Sequence, residues 1–276
     1  MTLKTQQRYK SENGIAYLKY GSGSPIVLVH GVGLRAEAWL NQIETLTQRH
    51  TVYAIDMPGH GESDLLAEED SDLDDYVDAI AAWIDSEIRE PVIMMGHSMG
   101  SMIALNFGIR YKAMCIGIAA LNSVYRRTPQ AEQAVQQRAL DMIKNPALDK
   151  VTTPIKRWFN RDPQGFEKQM ADLCEQWLLA APTAGYARAY RVFSRNDGPQ
   201  DEALAALEIP VIFITGDGDS NSSGEMSQRM AALCPNGRYA VIENARHMVP
   251  MTHPDEMNQL LAEFIKQCGT QVRNQI

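Results

Sequence analysis

The feature that most constrains this chain is a repeated alternation of short apolar runs with longer amphipathic stretches. Ile26–His30 (IVLVH), Thr51–Ile55 (TVYAI), Val92–Gly96 (VIMMG), Met114–Leu121 and Val211–Thr215 (VIFIT) are rich in β-branched residues and bounded by Gly, Pro or Asp, and Arg238–Ile242 is a sixth of the kind. A run that is apolar at every position needs cover on both faces, which is the pattern of a parallel strand. Helical stretches lie between them, at Ala36–Thr47, Leu73–Glu87, Met99–Tyr111, Glu225–Leu233 and Asp255–Lys266. The alternation predicts a parallel sheet with helices on both faces. Two weaker strands, Arg8–Ser11 and Ile15–Tyr20, flank the turn Asn13-Gly14 and predict an antiparallel hairpin at one edge.

Between Val124 and Glu202 the alternation stops. Helix-like segments at Gln130–Lys144, Gly165–Ala181 and Thr183–Ser194 are punctuated by prolines and carry Trp158 and Trp177. This stretch is expected to be a helical insertion over the C-terminal edge of the sheet, where open α/β sheets bind ligands. The expected division is a core of residues 1–123 and 205–276 with a cap of residues 124–204. With 45% hydrophobic residues over 276 positions, such a chain buries about three quarters of its unfolded surface and needs no staple. The four cysteines (115, 174, 234 and 268) are far apart and form no Cys-x-x-Cys or zinc-ligand pattern, so they read as free thiols.

A net charge of −8 argues against a nucleic-acid binder, which would show a basic stripe. No run of about eighteen apolar residues suggests a membrane span, and the polar Met1–Asn13 lacks a signal-peptide core. A cytoplasmic protein is the expectation. The run Glu68–Asp75 holds six acidic residues in eight just ahead of a helix start. It reads as a solvated loop whose carboxylates favour the helix dipole, with metal binding as the alternative.

Gly96-His97-Ser98-Met99-Gly100 fits Gly-x-Ser-x-Gly. The pentapeptide alone turns up in about one chain in ten of this length by chance. Here it directly follows the strand VIMMG and opens a helix, the placement that a nucleophile elbow requires. A serine hydroxyl needs a base to take its proton. Past the last strands, His247 stands in a loop, whereas His253 precedes Pro254 at a helix start and reads as a capping-region residue. The imidazole needs a carboxylate in turn. The strand VIFIT ends in Gly216-Asp217-Gly218-Asp219, where Asp219 has the longer reach and Asp217 suits local turn bonds; the position after Met114–Leu121 holds the uncharged Asn122. The loop His30-Gly31-Val32-Gly33 follows its strand directly and can present the Val32 N–H beside that of Met99 to an oxyanion. The same loop, Gly31 to Ala36, also matches Gly-x-Gly-x-x-Ala, with Asp56 near the position of a ribose-binding acid. A dinucleotide oxidoreductase is therefore a competing reading, one that leaves Ser98, Asp219 and His247 unexplained.

Together with Trp39 and Asp56-Met57-Pro58-Gly59-His60-Gly61-Glu62-Ser63, these motifs resemble the α/β-hydrolase superfamily over nearly the whole chain. The resemblance implies a mostly parallel eight-stranded sheet flanked by helices, with an inserted helical cap roofing the pocket. It implies Ser98 as nucleophile, His247 as base, Asp219 as triad acid, and Val32 and Met99 as oxyanion-hole amides, with neither metal nor cofactor. The serine nucleophile separates the chain from dehalogenase and epoxide-hydrolase branches. Many esterases and lactonases of this kind have Gly where Ser101 stands. The expected reaction is hydrolysis of a small carboxylic ester or lactone through an acyl-enzyme. Cleavage of an amide or of a carbon–carbon bond in a β-diketone, and a non-enzymatic receptor on the same fold, are the alternatives. A homodimer is compatible with all of them.

Gly33, Trp39, Tyr125, Trp158, Trp177 and Met248, with Val249, are the expected substrate contacts, each also readable as plain core. The stretch Val124–Glu202 holds eight of the seventeen arginines and twelve basic against ten acidic residues, so it is +2 while the rest of the chain is −10. Arg188, Arg191 and Arg195 share one helix face. They are expected either to pair with the acidic core or to bind a substrate carboxylate.

Overall fold

The computed structural model describes residues 7–144 and 150–274. Eight strands form one sheet: β1 (Tyr9–Lys10), β2 (Ala16–Gly21), β3 (Ser24–Val29), β4 (His50–Ile55), β5 (Val92–His97), β6 (Cys115–Leu121), β7 (Val211–Gly216) and β8 (Gly237–Ile242). Their order is β1-β2-β4-β3-β5-β6-β7-β8. β1 and β2 form the expected antiparallel edge, and every pair from β4 to β8 is parallel. The chain passes from β3 outward to β4, then crosses back to β5 on the other side of β3. Connections leaving β3 and β5 thus diverge, which opens a crevice at their C-terminal ends.

The continuous apolar runs are buried on both faces, as their composition demands. Ile26, Leu28, Ile93 and Met95 pack with α11 (Pro254–Asn274) through Met257, Leu261 and Phe264, and with Leu46 of α1 (Leu40–Leu46). Val27, Val29 and Met94 face the other way, toward α2 (Leu73–Glu87), α3 (Met99–Arg110) and α9 (Gly224–Leu233). Asp72 caps α2: it accepts from the Asp74 and Asp75 N–H groups while the Asp75 side chain accepts from the Asp72 N–H, a capping box. That accounts for the end of the acidic run.

Between β6 and β7 lie α4 (Pro129–Lys144), α5 (Thr152–Trp158), α6 (Gly165–Ala180), α7 (Thr183–Arg195) and α8 (Asp201–Ala205), with no strand among the described residues. α10 (Val249–Thr252) follows β8. α5, α8 and α10 have seven, five and four residues, too few for a helical period to be read. The stretch expected as one helix at Ala36–Thr47 is a 3-10 turn, Ala36–Trp39, followed by α1. Met114 closes a 3-10 turn instead of opening β6. The last helix runs past Lys266 because the apolar face of Leu261 and Phe264 continues to Cys268.

Candidate active site

The site is built at the crevice beside β3 and β5. Ser98 joins β5 to α3 with φ 56° and ψ −120°, a strained conformation for a residue with a Cβ. The flanking glycines make that turn sterically possible. A Cβ at Gly96 would lie 2.0 Å from the Gly100 carbonyl oxygen, and one at Gly100 would lie 2.1 Å from that of Val29. Backbone bonds pin the turn: the Ser98 N–H donates to Leu121 O at 2.9 Å, and the Ser101 N–H donates to Ser98 O at 2.9 Å. The Ser101 hydroxyl donates to the same Ser98 carbonyl. The departure from the usual glycine at 101 therefore adds a fastener to the elbow. Met99 begins α3, so its N–H has no partner within the helix.

The loop after β3 presses against this elbow. A Cβ at Gly31 would lie 2.9 Å from Ser98 Cβ. Two buried histidines fix the loop. His30 donates from Nδ1 to Gly31 O at 2.7 Å and accepts at Nε2 from the Met57 N–H at 2.9 Å. His60 donates from Nδ1 to Pro58 O at 3.2 Å and accepts at Nε2 from the Gly33 N–H at 3.0 Å. Each ring needs one bare nitrogen for these bonds, and burial lowers the pKa values to about 3 for His30 and about 4 for His60. Asp56 is wholly buried beside them. It accepts from the Ala36 and Glu62 N–H groups at 2.8 and 3.0 Å and from the Arg8 guanidinium. A carboxylate spent in this way has nothing left for a ribose, which removes the main support of the dinucleotide reading.

His247 and Asp219 meet across the loops after β8 and β7. His247 Nδ1 donates to Asp219 Oδ2 at 2.7 Å. The same oxygen accepts from Asn122 Nδ2 at 2.8 Å and from the Ser222 hydroxyl, and Oδ1 accepts from the Asn221 N–H at 2.8 Å. Burial would raise the Asp219 pKa. The His247 charge and these donors outweigh it and hold the group below the ordinary carboxylate range. Asp217 is exposed at the turn. With Nδ1 so engaged, His247 Nε2 is left to exchange a proton with a hydroxyl in the same cavity. His97, next to Ser98, donates from Nε2 to the His247 carbonyl at 2.8 Å. Burial and the neighbouring His247 lower its pKa to about 3.

Ser98, His247, His97 and Val32 line one cavity of about 210 Å³, walled on its far side by helices α4, α5 and α7. Trp158 lines it, its ring 6.0 Å from that of His247. The other expected contacts stand elsewhere. Trp39 and Val249 are core residues packed with Leu28 and Leu46. Gly33 is a spacer with φ 79°, where a Cβ would strike Leu178 and Tyr186. The Arg126 and Arg229 guanidiniums lie 5.3 and 5.6 Å from the Tyr125 ring, and its hydroxyl donates to Asp201. Met248 and Trp177 belong to a separate apolar cluster around Phe159. Helical spacing and aromatic character identified these residues as apolar without telling which side of their elements meets the cavity.

The arginine expectation is redistributed in the same way. Arg188 donates to the Leu66 and Glu68 carbonyls and Arg191 to that of Glu69, while Arg191 and Arg195 pair with Asp70 at 3.1 and 3.5 Å. They bind the acidic loop, not the cavity. Arg127, Arg138 and Arg157 line the cavity instead, with Tyr190. Arg127 is held by Asp197 and the Asn196 and Phe193 carbonyls, and Arg138 lies over the Tyr190 ring at 5.6 Å. A signal for Arg138 was present: it falls on the face of α4 that carries Val135, Ala139 and Met142.

Residues 26–260 match the Alpha/beta hydrolase family. The chain belongs to that family. This hydrolase is 39% identical over 250 residues to the (E)-2-((N-methylformamido)methylene)succinate hydrolase of Acinetobacter baylyi, covering 91% of this chain and 93% of that protein. It is 27% identical over 241 residues to 3-oxoadipate enol-lactonase 1 of the same organism, covering 87% and 88%. A thermophilic esterase from Thermogutta terrifontis, solved with malate bound, shares the fold with a TM-score of 0.83 at 24% identity, over 95% of this chain and 99% of that one.

Proposed function

We propose that this hydrolase cleaves a small, carboxylate-bearing ester or lactone through an acyl-enzyme. The observation that carries the reading is Ser98 sharing one cavity with a His247 whose Nδ1 is bound to buried Asp219. Ser98 Oγ attacks the carbonyl carbon as its proton passes to His247 Nε2. The oxyanion forms against the Val32 and Met99 N–H groups. The C–O bond then breaks, and the leaving oxygen takes the proton from His247. Water repeats the sequence on the acyl-enzyme, releasing the acid and restoring Ser98. Residues 124–204 act as the cap that supplies the far wall.

The carboxylate preference rests on Arg138 and Arg157 at that wall, since guanidinium groups suit planar carboxylates. A second reading, amide hydrolysis by the same residues, is favoured by the 39% identical relative, which is named for an (N-methylformamido)methylene succinate substrate.

A fluorophosphonate should label Ser98 and no other residue. Ser98→Ala should abolish labelling and lower kcat by at least about a thousandfold. Folded protein that neither labels nor turns over esters would refute the proposal. Turnover should also survive exhaustive chelation. Arg138→Gln and Arg157→Gln should each raise KM for an anionic ester about tenfold, with a smaller effect on a neutral one.

A further inference from the structure

Arg246 stands next to His247, yet its guanidinium turns away from the Ser98 side. Nη1 donates to the Phe159 carbonyl at 2.7 Å. Phe159 caps the C-terminal end of α5, and its ring is wholly buried among Leu34, Met170, Cys174 and Met248. The two residues before it, Arg157 and Trp158, line the cavity. The stem of Arg246 passes close beside Gly218, where a Cβ would lie 3.3 Å from its Cγ. A long cationic side chain thus runs from the loop bearing His247 to the end of the helix that carries two wall residues. It is spent on a carbonyl at a helix C-terminus, where a cation is favoured.

We infer that Arg246 is a positioning residue for substrate specificity. It ties the last turn of α5 to the loop bearing His247, so that Arg157 and Trp158 face Ser98 at a fixed separation. The inference rests on the carboxylate reading for its substrate consequence and on geometry alone for its mechanical part. Without the strut, the C-terminal end of α5 rests on the apolar packing of Ile155, Trp158 and Phe159, and the wall loses its register with Ser98. Binding of a substrate held at both ends suffers first, because misplacement is felt most where two contacts must be met together.

The test uses the full-length enzyme with Arg246→Met, which keeps the stem, and Arg246→Lys, which keeps one donor. Arg246→Gln replaces the Met variant if that does not fold. Steady-state kinetics are measured on p-nitrophenyl acetate and on the mono-p-nitrophenyl ester of succinate, and amide hydrogen exchange is followed over 152–158. In Arg246→Met, α5 amides should exchange at least about fivefold faster. KM for the succinate ester should rise about tenfold, with kcat moving less than KM, and Arg246→Lys should recover most of the difference. Unchanged exchange in α5 overturns the inference. So does an equal fall of kcat on both esters, which would place the action of Arg246 on His247 instead. If the unaltered enzyme shows no preference for the anionic ester, the carboxylate reading fails, and the strut is then judged on α5 exchange alone.

Discussion

Ser98 is held in a backbone conformation that costs about 1–3 kcal/mol, and most of what offsets it is local: two glycines and the two Ser101 donors, joined by one bond across the sheet to the Leu121 carbonyl. Locality made this part of the site legible in the sequence, because the two glycines, Ser98 and Ser101 fall within a few positions of one another. His97 shows where locality ends. Its neighbour in sequence is Ser98, but its hydrogen bond goes 150 residues away to the His247 carbonyl, a partner no pattern could name. A glutamine there can extend an amide N–H toward that carbonyl, whereas leucine fills similar space without a donor. His97→Leu should lower kcat by about 10–100-fold with little change in KM, and His97→Gln should restore most of it. Equal behaviour of the two variants in ester assays would show that the bond does not position His247. Asn122 makes the same point: the sequence shows an uncharged side chain where an acid might stand, and the fold uses it to donate to Asp219.

Helix α7 presents Tyr186, Tyr190 and Phe193 to the cavity and its arginines to the loop at 66–70. Two different contacts hold it there. A Cβ at Gly185 would lie 1.7 Å from the Gly59 carbonyl oxygen, so the helix start meets the core backbone to backbone. The arginines add charge pairs, but Asp70 is 81% exposed, and exposed pairs contribute about 0–1 kcal/mol. Packing should therefore dominate. Gly185→Ala should cost more than about 2 kcal/mol in denaturant unfolding, and Arg195→Ala less than about 0.5 kcal/mol. A larger loss from Arg195→Ala would reverse that ranking. The strands and long helices were readable from periodicity because each buries a whole face. The cavity wall was not, because Arg138, Arg157 and Tyr190 come from three helices whose relative rotation is set by contacts such as Gly59 with Gly185. Charge on one helix face marked Arg188, Arg191 and Arg195 as a group, and tertiary packing decided that the group faces the acidic loop.

Across the whole molecule, the β3–β5 crevice gathers buried, neutral histidines at one end of the sheet. His30, His60 and His97 have pKa values lowered to about 3, 4 and 3, in each case chiefly by burial. An unfolded chain returns each to about 6.5. The unfolded state thus binds more protons between those limits, and stability must rise with pH across that window. The contribution is complete above pH ~6.5 and is lost as the pH falls toward ~4, at about 1 kcal/mol per histidine per pH unit. Asp219 acts in the same direction but lower. Its depressed pKa stabilises the fold above the unfolded value near ~3.9 and is lost only below it, so the two effects separate in pH. Urea midpoints should therefore fall steeply from pH 7 to pH 5, and unfolding at pH 5 should take up close to three protons from these rings. Replacing His60 by Asn should flatten the slope by about one proton, even as the lost bond to the Gly33 N–H lowers stability at pH 7. A midpoint that stays level between pH 7 and pH 5 would mean that these rings bind protons in the folded state, and the hydrogen bonds that hold the loop at Val32 could not then be as they stand.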